Sequence, residues 1–233
     1  GGMATGGLVL YVPQVFADIE PWRMPGLCQE IMDRADALGG CLHPTKEEVG
    51  SSNKEVVSYW LKRTDKVGVG GSVQFAVYFD PEILKCVLNN IVEEAGIKLF
   101  LHSWGTQAIV DKGAVKGVIF ESKSGRQAIL GKVIIDTTGD GDIFASAGVE
   151  FDGALDRELR SSELALVFRV GHVDYMRYND FRESDPEKNN QLVRKMENEW
   201  SEHFRSVTRP GLETIYRMLP HPTPQEDVIW VSN

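Results

Sequence analysis

Apolar positions along the chain follow two rhythms, and the alternation between them places most of the predicted elements. Between Asp80 and Gly96 the rhythm is helical. Ile83, Leu84, Val87, Leu88, Ile91, Val92 and Ala95 recur at steps of three and four, which makes one apolar stripe. Asp80-Pro81-Glu82 marks the start, with a capping carboxylate, a proline suited to the first helical position and an acid in the first turn; Gly96 marks the end. A second helix is predicted from Pro25 to Leu38, with Leu27, Ile31, Met32 and Ala35 on roughly one face and Gly39-Gly40 as its stop. A third starts at Asp185, ahead of Pro186-Glu187, and repeats Leu192, Met196, Trp200 and Phe204 four apart, a packing stripe.

The second rhythm is that of strands. Leu8 to Val12, Val73 to Phe79 after the Gly68–Gly71 turn, Ile97 to Leu101, Glu163 to Val170 and the tail from Glu226 have strand composition. Short alternating stretches at Thr106–Val110, Ala114–Glu121 and Gln127–Leu130 are separated by Asp111-Lys112-Gly113 and Ser122–Gly125, the punctuation of a β-meander. Lys132 to Asp136, rich in consecutive Val and Ile, predicts a buried closing strand, followed by a helix start at Ile143–Ala147. Val56 to Leu61 suits either state, and 46–53 and 206–225 read as loop. The fold class is α/β.

Composition narrows the function. The 233 residues are 42% apolar and 25% charged, ordinary for a folded protein of one domain or two small ones. Such a chain buries roughly 70–75% of its unfolded surface and needs no covalent or metal staple. A net charge of −9 argues against a nucleic-acid binder and against adhesion to an anionic membrane surface. The apolar runs fall far short of the ~20 residues that span a bilayer. Cys28, Cys41 and Cys86 are odd in number and lack CxxC spacing, and His43, His102, His172, His203 and His221 form no HxxxH pair. No metal site is expected, and a reduced, cytoplasmic setting fits.

The densest chemistry lies where the predicted closing strand meets Asp136-Thr-Thr-Gly-Asp-Gly-Asp142. Open α/β sheets bind ligands at the carboxyl ends of their strands, and glycines let a backbone approach phosphate or ribose closely. An ordinary polar turn has the same composition. The spacing of Asp136, Asp140 and Asp142 also suits a cation loop, although the distant bidentate Glu of an EF-hand is absent. The run from Asp136 to Phe144 also resembles the nucleotide-site signature of ribokinase-like sugar kinases, a likeness that implies Asp142 as general base. There the extra carboxylate of Asp140 would repel the transferring phosphates.

The order of these segments resembles the FAD-dependent oxidoreductases with a glutathione-reductase-like nucleotide-binding fold, distantly similar to fumarate reductase flavoproteins. Gly1-Gly-Met-Ala-Thr-Gly-Gly7, Phe79–Lys85, Glu94–His102, Gly117–Glu121, Val133–Gly148 and Ser162–Asp174 carry the likeness. The family's GxGxxG unit has no counterpart in these residues, so the resemblance implies a central piece of a longer protein, inactive alone and prone to aggregation through unpaired sheet edges. It implies a partial Rossmann-like FAD domain from 1–10 and 80–150, with 11–79 and 151–233 as a discontinuous α+β substrate or cap region. FAD is the implied cofactor and a small molecule the implied substrate; oligomeric state and catalytic acid or base are not implied.

The resemblance also implies site residues. Gly1, Gly2, Met3, Ala4 and Thr5 match the loop passing the FAD pyrophosphate and flavin, while Trp104 and Gly105 match the segment whose backbone meets the adenine. Thr138, Gly139, Asp140, Gly141 and Asp142 match the segment that closes over the middle of the cofactor. Asp140 or Asp142 either bonds ribityl or ribose hydroxyls or caps the following helix. Arg169 either clamps a substrate carboxylate or makes a structural ion pair. A non-catalytic α/β binding module is the remaining alternative.

Overall fold

The computed structural model describes residues 2–13, 26–65, 67–68, 70–151, 167–205 and 219–232. Backbone packing divides the chain into two compact units, Gly1–Glu94 with Leu164–Asn233, and Ala95–Glu163. The architecture is mixed α/β, helices with small antiparallel sheets, as composition and patterning predict.

In the first unit, elements run α1 (Gly2–Thr5), β1 (Tyr11–Pro13), α2 (Leu27–Asp36), β2 (Cys41–Leu42), α3 (Lys54–Arg63), β3 (Ala76–Phe79) and α4 (Pro81–Glu94). β3 is the central strand of an antiparallel sheet ordered β1-β3-β2 and is buried on both faces. Alternation along it sorts two cores: Val77 and Phe79 pack with Leu10, Met32, Phe75 and Leu84, whereas Ala76 and Tyr78 pack with Val57, Trp60, Val67 and Val73.

After residues 95–163, labelled below, the chain rejoins this unit as β7 (Val167–Gly171), α6 (Tyr175–Ser184), α7 (Pro186–Arg205), β8 (Leu219–Pro222) and β9 (Val228–Ser232). These strands form a sheet ordered β7-β9-β8. β9 repeats the alternation, with Ile229 and Val231 packed around Tyr175 and Trp230 reaching the first core. Arg34 of α2 bridges Glu30 and Glu94, tying α2 to α4.

The second unit is the β-meander β4 (Trp104–Asp111), β5 (Ala114–Ser122) and β6 (Gly125–Leu130), with the short helix α5 (Asp142–Ser146) packed on β4. Its first hairpin turns at Lys112 and Gly113, both at positive φ (49° and 75°), the twist that a tight two-residue turn requires.

The helix and meander predictions agree with the structure, and Val56–Leu61 resolves as helix within α3. Two strand predictions do not hold. Ile97–Leu101 is coil and turn, and Lys132–Asp136 lies outside any ladder, with Val133 and Ile135 78% and 80% exposed. A strand exists only through its neighbours' hydrogen bonds, and no described residue pairs with either segment. α6 was unpredicted: its only buried residues are Tyr175 and Asn179, too few to mark a stripe. Leu192 of α7 is exposed, and the side chains of Met196, Trp200 and Phe204 lie outside the described set. Among the described residues no helix is long and apolar enough to cross a membrane.

Candidate functional site

The glycine-and-aspartate segment of the second unit folds on its own hydrogen bonds. Asp136 Oδ1 accepts from the Thr138 amide at 2.9 Å, an Asx turn. Its Oδ2 accepts from the amides of Ile143 at 3.1 Å and Phe144 at 2.9 Å, closing the first turn of α5 from seven and eight residues upstream. Thr138 Oγ1 accepts from the amides of Gly141 and Asp142 at 3.0 and 3.1 Å. These backbone donors, Thr138 and Phe144 first, hold the Asp136 carboxyl below its ordinary pKa.

Gly139 and Gly141 make the turn at φ 87° and 75°. Their roles differ. A Cβ at Gly141 would sit 2.1 Å from the Phe144 ring, so that glycine serves the loop's own packing; a Cβ at the exposed Gly139 would meet nothing within 4 Å beyond its chain neighbours, which leaves room for an approaching molecule.

The same helix is anchored to the meander. Ser146 Oγ accepts from the Ala108 amide of β4 at 2.7 Å and donates to the Ile143 carbonyl at 2.9 Å. Ile143 also packs on Gly105, where an added Cβ would stand 3.3 Å from its Cδ1. The structure thus brings Gly105 and the 138–142 segment together in one unit. Trp104, at the start of β4, is 72% exposed.

Gly2, Met3, Ala4 and Thr5 belong to the first unit, and Gly1 lies outside the described residues. The expected glycine turn contains one turn of helix, α1, closed by the Gly6 and Gly7 amides donating to the Gly2 carbonyl at 2.9 and 2.8 Å. Gly7 is required there, because a Cβ would come within 2.9 Å of the Met3 carbonyl oxygen. Leu8 follows at φ 54°, a strained backbone for a branched side chain that packs against the core.

The geometry bears on three alternatives that the sequence leaves open. Asp140 and Asp142 do not cap α5, since Asp136 and Thr138 occupy its first amides; among the described residues neither carboxylate has a hydrogen-bond partner. The cation loop fails, because both Asp136 oxygens are taken by amides, and the described residues hold no group of three metal-ligating side chains. Arg169 makes the structural alternative, an ion pair with Glu82 at 3.6 Å. Asp136 is the residue whose structural role the sequence concealed. Its distance from the amides it caps lies outside the usual capping spacing, and only its place at the end of a Val-Ile-Ile run hinted at it.

The donor set decides what the loop can hold. The amides that α5 would offer an anion are already used, while the two free carboxylates repel phosphate and accept well from hydroxyls. Sugar or ribityl hydroxyls fit; a pyrophosphate does not.

A family model described as FAD dependent oxidoreductase matches residues 1–232, so the chain belongs to the FAD-dependent oxidoreductase family. No curated protein and no solved structure matches it. Membership makes the protein a flavin-dependent oxidoreductase with FAD as its cofactor and sets aside the sugar-kinase reading. The hydroxyl-accepting loop of the second unit is compatible with the polyol chain of that cofactor.

Proposed function

We propose that the protein exchanges hydride between a small organic substrate and FAD, and that Asp140 and Asp142 hold the hydroxyls of the cofactor's ribityl or ribose portion. Bound FAD supplies the redox centre, with hydride passing between a substrate carbon and flavin N5. The residues of this chain bind and orient it. Gly139 leaves room for close approach, the Asp136–Thr138 bonds keep the loop in one conformation, and Trp104 and Gly105 offer backbone to the adenine. The family resemblance assigns Gly1–Thr5 to the pyrophosphate and flavin. On this reading 1–10 and 80–150 serve the cofactor, 11–79 and 151–233 the substrate, in the cytoplasm.

One observation carries the assignment: the free carboxylates of Asp140 and Asp142 follow the open Gly139 on a loop whose Gly141 and Asp142 amides, like the next amides of α5, are satisfied internally. FAD titration of Asp140→Asn and Asp142→Asn tests it. A charge-assisted hydrogen bond is worth roughly 1.5–3 kcal/mol, so each change that removes one is expected to weaken FAD binding about tenfold or more. Wild-type affinity in both variants would take this loop out of the cofactor site.

A further inference from the structure

A second polar cluster lies in the first unit and has no part in the cofactor reading. It begins with the pairing of β8 and β9, which sets His221 opposite Trp230 and Leu219 opposite Ser232. Side chains two apart on a strand share a face, so Trp230 and Ser232 flank His221, one directly and one diagonally. The imidazole stacks on the Trp230 ring at 4.0 Å and 20°. Its Nε2 lies 3.0 Å from Ser232 Oγ, and its Nδ1 lies 2.8 Å from Asp65 Oδ2.

Asp65 follows Thr64, the residue that ends α3, in a loop held by Thr64 Oγ1, which donates to the Trp60 carbonyl and accepts from the Val67 amide. Its other oxygen accepts from the Tyr78 hydroxyl at 2.5 Å. Burial and the neighbouring Asp65 charge push the Tyr78 phenol well above its ordinary value, so it remains a donor to that carboxylate. The pair is sheltered, with the Asp65 and His221 side chains 12% and 10% exposed, while Ser232 is half-buried.

An ionised carboxylate only accepts, so in the neutral imidazole Nδ1 carries the hydrogen toward Asp65 and Nε2 presents its lone pair to the Ser232 hydroxyl. The arrangement of nucleophile, base and orienting acid is the one that activates a serine, and it is recognised by geometry and roles rather than by chain position. Trp230 adds an indole N–H, buried and with no acceptor among the described residues, on the face of β9 that carries Ser232.

We propose that Ser232 is an activated nucleophile, with His221 as its general base and Asp65 orienting the imidazole, and that it takes the acyl group of a carboxylic ester. Ser232 Oγ bonds to the acyl carbon, the ester C–O bond breaks, and His221 carries the serine proton to the departing alcohol. Water then enters by the reverse proton path and frees the acid. The site does not rest on the flavin.

An alkyl fluorophosphonate added to the full chain tests it. Ser232 Oγ attacks phosphorus, fluoride leaves and the proton passes to His221, so peptide mass mapping of the wild-type protein is expected to find the adduct on Ser232. Losing a general base costs about 100-fold or more, and His221→Asn and Asp65→Asn are expected to slow labelling by that factor. Ser232→Ala removes the adduct. A folded wild-type protein with Ser232 unmodified overturns the proposal, and so does labelling of Ser232 at an unchanged rate in His221→Asn. The wild-type map decides even if the variants do not fold.

Discussion

The chain uses one device twice: an apolar run ends in an aspartate whose carboxylate caps the helix that follows. At Asp80 the run is β3, paired on both sides, and the buried carboxylate accepts from the amides of Glu82 and Ile83 at 2.8 and 3.1 Å while its second oxygen takes Gln225 at 3.1 Å. At Asp136 the run is Val133-Ile-Ile135, unpaired and exposed, yet its carboxylate closes α5 as completely. The difference separates two kinds of specification. A cap joins residues of one short segment, two and three positions apart at Asp80 and seven and eight at Asp136, whereas a strand is made of neighbours in space and needs a ladder.

The sharpest way to break the comparison is to empty the first junction. Phe79→Ala removes a ring that is 2% exposed and is expected to cost roughly 3–5 kcal/mol, read from urea denaturation. A cost under about 1 kcal/mol would make the two runs equivalent. Asp80→Ala comes next, at about 2 kcal/mol, because it uncaps α4 and strands the Gln225 amide.

The Asp136 cap is expected to act locally. Its folded pKa lies below the unfolded carboxylate value of about 3.9, so the cap is complete above that pH and is lost as acidification passes through the lower folded value. The amide proton shifts of Ile143 and Phe144 should follow that titration, and Asp136→Ala should remove it. Amides indifferent to both would mean that the cap is not made in solution. Smallest of all, Ile135→Ser should leave stability within about 0.5 kcal/mol, as at other exposed positions. A cost above 1 kcal/mol would show that a partner covers this run.

The same division explains what could be read from sequence. α4 was legible because its cap, its proline and its stripe are all local; the hairpin at Lys112-Gly113 was legible because turn chemistry is too. Ile97–Leu101 and Val133–Ile135 have strand composition, but composition says nothing of whether a ladder is present. Within the candidate site, Thr138, Gly139 and Gly141 stood out as a glycine-rich strand end. The choice between capping and ligand binding for Asp140 and Asp142 turned on Asp136, whose reach of seven and eight residues no local pattern records. The cluster around His221 was less legible still, since 156 positions separate it from Asp65.

The central claim is that this chain belongs to a flavoprotein whose 136–144 loop serves the cofactor. A visible absorption spectrum of the purified full-length protein, recorded before and after incubation with FAD and removal of the excess, tests it most directly. The account predicts retained flavin bands, weakened in Asp140→Asn and Asp142→Asn. No retained flavin after reconstitution of a folded protein would contradict it.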